Sequence, residues 1–197
     1  DAISDDGDGE LELTDLHQQS AILAVQGPRS AEVLAAVNLP ASMQYMSFVE
    51  ARTTIGSGQV VVTVCRTGYS GEHGYELIVP TDHAEALWDA VLAAVREVGG
   101  LPCGLAARYT LRTEMGYPLH GHELSREISP LEAGLSWAIG WDKPQVIGRD
   151  ALEAQRADGV SRRLRGLLVT GRGIPRPDMS VLDADCNQVG IVTSGTY

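Results

Sequence analysis

The chain has 197 residues, with 15 Lys+Arg against 26 Asp+Glu and a formal net charge of −11. That balance excludes a non-specific nucleic-acid binder, which needs a cationic surface to displace counterions. A hydrophobic fraction of 44% with 21% charged residues excludes general disorder, and no apolar run approaches the ~20 residues of a membrane span.

The opening DAISDDGDGE reads as the opposite of a secretory leader. Residues 10–16, ELELTDL, alternate as a half-buried strand does, and residues 20–26, SAILAVQ, predict a more buried one. Gly27-Pro28 closes that strand, and Ser30 is placed to cap a helix over 31–37 that Pro40 ends. A strand over 43–50, the Gly56-Ser57-Gly58 turn and a strand over 59–67 predict a hairpin with a somewhat long connection. The Gly-rich reversal 68–74 leads into a strand over 75–80. Thr81 or Asp82 then caps a strongly periodic helix that Gly99-Gly100 stops. A third helix is predicted over 104–116. Strands, helix, strands and helix in this order give an α+β unit, an open sheet with helices on one face of the ferredoxin-like kind.

After about residue 117 the character changes. Residues 118–163 are loop-rich, with a short helix at 149–157, and 164–170 (LRGLLVT) and 189–194 (VGIVTS) read as strands. Two strands cannot bury both faces of a sheet, so this part reads as unfinished and the chain as a fragment of a longer protein. The domain division expected is 1–130 for the α+β unit and 131–197 for the remainder. Charge follows a similar partition: residues 1–15 hold seven acids and no Lys or Arg, while 143–176 hold eight of the 15 cations. Cys65, Cys103 and Cys186 lie far apart with no CxxC pair, which points to reduced thiols and a cytoplasmic protein.

The segment from Arg66 to Glu76, RTGYSGEHGYE, concentrates the chemistry. Its three glycines permit tight turns and close approach of a ligand, but no helix follows, so it is not a dinucleotide fingerprint. Glu76 falls on a strand among apolar residues, so it is either at a sheet edge in water or held by a specific partner. On the third helix Arg108 and Arg112 stand four residues apart. Each either joins a surface salt bridge or fixes a planar ligand through its fork geometry. Tyr69, Tyr75 and Tyr117 are candidates for stacking on an aromatic ligand or for core packing. His120 and His122 with Glu123 lack a third spaced ligand, so no metal is expected. Cys65, on a hydrophobic strand, reads as a buried thiol and not as a nucleophile.

Taken in order, Ala24-Val25-Gln26-Gly27-Pro28, the Thr67–Glu72 loop with Gly74-Tyr75-Glu76, and Gly104-Leu105-Ala106-Ala107-Arg108 with Leu111-Arg112 form one series. Pro130-Leu131-Glu132, Ser136-Trp137, Ile147-Gly148-Arg149 and Thr193-Ser194-Gly195 continue it. The series resembles the aminomethyltransferase, or T-protein, family of the glycine cleavage system along nearly the whole chain. The resemblance implies a cloverleaf of two intertwined α+β parts and a C-terminal β-barrel around a folate channel. This chain would supply the second α+β part and the opening of the barrel. It further implies transfer of a one-carbon unit from the aminomethylated lipoyl arm of the H-protein to N5 of tetrahydrofolate, with release of ammonia. By position, Glu76 would accept hydrogen bonds from the pterin edge, Arg108 would contact the polar edge of the folate, and Tyr69 and Tyr117 would wall the pterin. Trp137 would lie near the channel.

The family's catalytic aspartate falls upstream of this sequence, so no catalytic residue is assigned and the acids at Asp5, Asp6 and Asp8 are not promoted to that role. Tyr109 stands where the family usually has aspartate, which implies different packing there. Two related readings are a folate domain of a demethylating oxidase and a non-catalytic folate-binding accessory protein. The second is disfavoured, because its Lys-Gly-Cys-Tyr-x-Gly-Gln-Glu signature is replaced here by Arg66-Thr67-Gly68-Tyr69-Ser70-Gly71-Glu72.

Overall fold

The computed structural model describes residues 13–56 and 58–196. These divide into two compact units, with the boundary between Pro102 and Cys103. The sequence pattern places its change of character at about residue 117 and the domain division at 130. The third helix, expected to complete the first unit, falls within the second.

The first unit carries β1 (Ser20–Gln26), α1 (Ser30–Ala36), β2 (Phe48–Ile55), β3 (Gly58–Cys65), β4 (Gly74–Pro80) and α2 (Thr81–Glu97). Its four strands form an open sheet in the order β1-β4-β3-β2, with every neighbouring pair antiparallel. Alternation sorts the side chains. Val25, Val60, Val62, Val64, Tyr75, Leu77 and Val79 are buried on one face, in one core with Val33 and Leu34 of α1 and Leu87, Val91 and Ala94 of α2. The three α2 residues recur at helical spacing, which is why one stripe of the helix goes inward. On the opposite face β1, β4 and β3 bring Ala24, Glu76 and Cys65 into register. This is the α+β open sheet with packed helices that the pattern indicated.

Several local expectations are corrected. Residues 13–16 are not a strand, and Leu13 and Leu16 are exposed; residues 10–12 lie outside the described ones. Ser30 is the first helical residue and does not cap, because its hydroxyl turns to the ring Nδ1 and the carbonyl of His73, at 3.1 Å each. α2 likewise begins without a side-chain cap; the Thr81 hydroxyl donates to the Gln18 carbonyl instead. β2 runs later than expected, from Phe48 to Ile55, and turns into β3 through a tight connection in which Gly56 takes a φ of +60°.

The second unit contains α3 (Leu105–Glu114), a 3-10 turn (Ser136–Ala138), α4 (Arg149–Asp158), and the hairpin β5 (Ser180–Leu182) and β6 (Gln188–Ile191). The stretch 164–170 is not a strand. Its apolar residues Leu167, Leu168 and Val169 are exposed, and a strand needs a paired neighbour to satisfy its backbone. Among the described residues the unit holds a two-stranded ribbon and no closed barrel. No helix among them is long and apolar enough to cross a membrane.

Candidate functional site

Glu76 sits on β4, an interior strand, so the sheet-edge alternative does not hold. The carboxylate is half-buried and has a specific partner: the Thr67 hydroxyl donates to Oε2 at 2.5 Å. Thr67 opens the Gly-rich reversal between β3 and β4, and that reversal is tied down at several points. Gly27 N–H donates to the His73 carbonyl at 2.7 Å, and Arg66 Nη1 donates to the Gly74 carbonyl at 2.9 Å. The Gln26 side chain donates to the carbonyls of Thr67 and Tyr75 and accepts from the Ser70 hydroxyl. Gly71 takes a φ of +80°, a left-handed conformation that a side chain disfavours.

The tyrosines of this segment part company. Tyr75 is fully buried in the core, with its hydroxyl donating to the Ala41 carbonyl at 2.5 Å, while Tyr69 is half-buried in the loop. Arg66 lies over the Tyr75 ring, 5.3 Å from its centroid. Cys65 is only partly buried, but burial, and then the negative charge of Glu76, push its thiol above the usual cysteine range. That suppresses the thiolate a nucleophile would need.

In the second unit the two arginines of α3 have different fates. Arg108 is exposed, whereas Arg112 is buried in an ion pair with Glu123 at 2.8 Å. Arg112 also donates to Ser194 Oγ at 2.8 Å and to the Tyr117 carbonyl at 3.3 Å, and its guanidinium stacks 4.2 Å from the Tyr109 centroid. Burial pushes the Glu123 carboxyl up. Hydrogen bonds from Ser194, Thr193 and the Leu119 N–H, with the Arg112 charge, outweigh it and hold Glu123 below the usual carboxylate range. Tyr117 is half-buried in the turn that follows α3, and Trp137 is exposed.

His122 belongs to the same network: its Nδ1 meets the Thr193 carbonyl at 2.9 Å and its ring meets Tyr109 edge-on. Tyr109 is thus the platform for both Arg112 and His122. No group of three or more His, Cys, Asp or Glu among the described residues is arranged to hold a metal ion. A cleft of about 290 Å³ in this unit is lined by Leu131, Glu132, Arg156, Arg163 and Arg165, among others. Sequence reasoning missed Thr67 and Gln26. The signal available for the first was a hydroxyl at the mouth of the loop that delivers the carboxylate.

Residues 1–143, which contain the reversal, Glu76 and α3, match the GCVT N-terminal domain. The chain belongs to this family. It is 56% identical over 189 residues to the aminomethyltransferase of Mycobacterium tuberculosis (strain ATCC 25618 / H37Rv), covering 96% of this chain and 50% of that protein. The aminomethyltransferase of Mycobacterium avium (strain 104) is 55% identical over 185 residues, at 94% and 49% coverage. A similar solved structure is the crystal structure of glycine cleavage system aminomethyltransferase T from Bartonella henselae. It matches with a TM-score of 0.79 and 33% identity, over 90% of this chain and 48% of that one. The chain therefore spans about half the length of the curated relatives it matches.

Proposed function

We infer that the full-length protein containing this chain is the aminomethyltransferase of glycine cleavage. It moves the one-carbon unit from the aminomethylated lipoyl arm of the H-protein to N5 of tetrahydrofolate and releases ammonia. The observation that carries the reading is the Glu76 carboxylate, half-buried on an interior strand of a GCVT N-terminal domain and oriented by the Thr67 hydroxyl. A carboxylate fixed in this way complements an amidine-like edge, whose parallel N–H donors match its two oxygens.

In this reading Glu76 accepts hydrogen bonds from the pterin edge and Tyr69 and Tyr117 wall its ring. Arg108, whose guanidinium is planar and always charged, contacts the polar edge of the folate. Trp137 lies near the folate channel. In this reading the chain supplies binding and orientation, and the barrel opens within 131–197. The location that goes with the reading is cytoplasmic, consistent with three free cysteines.

The test is ammonia release from aminomethylated H-protein and tetrahydrofolate. The full-length protein should release it, and residues 1–197 alone should not exceed background. Ammonia release by the 197-residue piece, or none by the full-length protein, would contradict the reading.

A further inference from the structure

Gln26, the last residue of β1, is held by its side chain and not only by its strand. Its Nε2 donates to the Tyr75 carbonyl at 3.1 Å and to the Thr67 carbonyl at 3.3 Å, and its Oε1 accepts from the Ser70 hydroxyl at 2.8 Å. Thr67 precedes the reversal that joins β3 to β4, Ser70 lies in its middle, and Tyr75 follows it on β4. The orientation of the amide follows from its partners, because the flipped form would set an oxygen against two carbonyl oxygens.

The glycines of the loop are cut to the same group. A Cβ on Gly68 would lie 2.1 Å from Gln26 Oε1, and one on Gly74 would lie 2.4 Å from it. Neither glycine has the left-handed φ that would by itself require glycine; the side-chain amide of Gln26 is what occupies the space. Asparagine is one methylene too short to reach the same partners. Glutamate has no N–H to offer either carbonyl, and leucine fills the space with no hydrogen bond at all.

We propose that Gln26 is a positioning residue: by holding the Thr67 carbonyl it fixes the Thr67 hydroxyl, and through that hydroxyl the Glu76 carboxylate. The proposal rests on the reading of Glu76 as a folate ligand for its functional consequence. Its structural content is independent of that reading. Before any ligand arrives, the amide orders a segment whose glycines would otherwise leave it many conformations, which lowers the ordering cost of binding.

The test uses the full-length protein. In ligand-free Gln26→Leu, amide hydrogen exchange across 66–76 should quicken at least tenfold, with the α2 amides unchanged. The KM for tetrahydrofolate should rise about tenfold with kcat within about twofold, a split that general destabilisation would not give. Thr67→Val should weaken tetrahydrofolate binding similarly, and the double variant should be no weaker than the weaker single, because both act on the same carboxylate.

Unchanged exchange across 66–76, or fully additive losses in the double variant, would overturn the proposal. Should Gln26→Leu fail to fold, Ser70→Ala decides: it removes one of the three bonds and should still quicken exchange at Gly68 and Gly74, apart from Glu72, whose own N–H loses the Ser70 hydroxyl in this variant. Glu76→Gln separates the two claims. If it binds tetrahydrofolate as the parent does, the folate reading fails, while the exchange result still decides the role of Gln26.

Discussion

Arg112 and Glu123 form a salt bridge of 2.8 Å with 1% and 5% of their side-chain surface exposed, joining α3 to the loop that follows it. A buried pair of this kind is costly to break, because the surviving charge is left without compensation. Glu123→Gln should therefore destabilise the second unit by roughly 3–5 kcal/mol, while replacing both partners together should cost less. Urea unfolding of the parent and variants measures the difference.

The same carboxylate sets a pH dependence. Because Glu123 in the folded protein is held below its ordinary value, its contribution is fully present above the unfolded carboxylate range. It is lost as pH falls through the lower folded value. The stability gap between the parent and Glu123→Gln should be constant near neutrality and shrink as pH drops below about 4. A gap that widened on acidification would contradict this assignment.

Tyr75 makes a smaller, local prediction. Its ring is fully buried and its hydroxyl satisfies the Ala41 carbonyl, so Tyr75→Phe leaves that acceptor unpaired without changing the packing. The cost should be about 1–3 kcal/mol in denaturant unfolding, with tetrahydrofolate affinity unaltered.

β3 and β4 are legible in the sequence because each is a short, mainly apolar run rich in β-branched residues and bounded by glycine or proline. Every second residue (Val60, Val62, Val64; Tyr75, Leu77, Val79) is buried on one face. β2 was misplaced for the opposite reason. Its inward positions are Ala51, Thr53 and Ile55, only Thr53 is fully buried, and Phe48 points to the exposed face, so the period was weak and the wrong way up. The stretch 164–170 carried strand-forming residues, but pairing is a property of two segments and no local pattern supplies the second. Glu76 was visible as an anomaly, a carboxylate on an apolar strand. Its holder was not, because Thr67 reaches it only after the chain reverses. Likewise a salt bridge is one of the two roles the sequence leaves open for Arg112, but choosing Glu123 as its partner requires the path of the loop after α3. Gln26 left no local signal at all: its partners are carbonyls and a hydroxyl 41 to 49 positions away.

The cationic stretch 143–176 gives a prediction about the carrier. Arg163 and Arg165 are exposed and line the cleft of the second unit. If this face meets an acidic H-protein surface, Arg163→Glu with Arg165→Glu should slow reaction with aminomethylated H-protein, most at low salt, where charge steering is strongest. The affinity for tetrahydrofolate should stay the same. Equal rates across salt concentrations would place carrier docking elsewhere.

The central claim concerns Glu76, and calorimetric titration of tetrahydrofolate into the full-length protein tests it most directly. Two charge-assisted hydrogen bonds to the pterin edge are together worth roughly 3 kcal/mol or more, so Glu76→Ala should weaken binding at least about a hundredfold while unfolding remains cooperative. Binding by a folded Glu76→Ala protein within a few-fold of the parent would contradict the account.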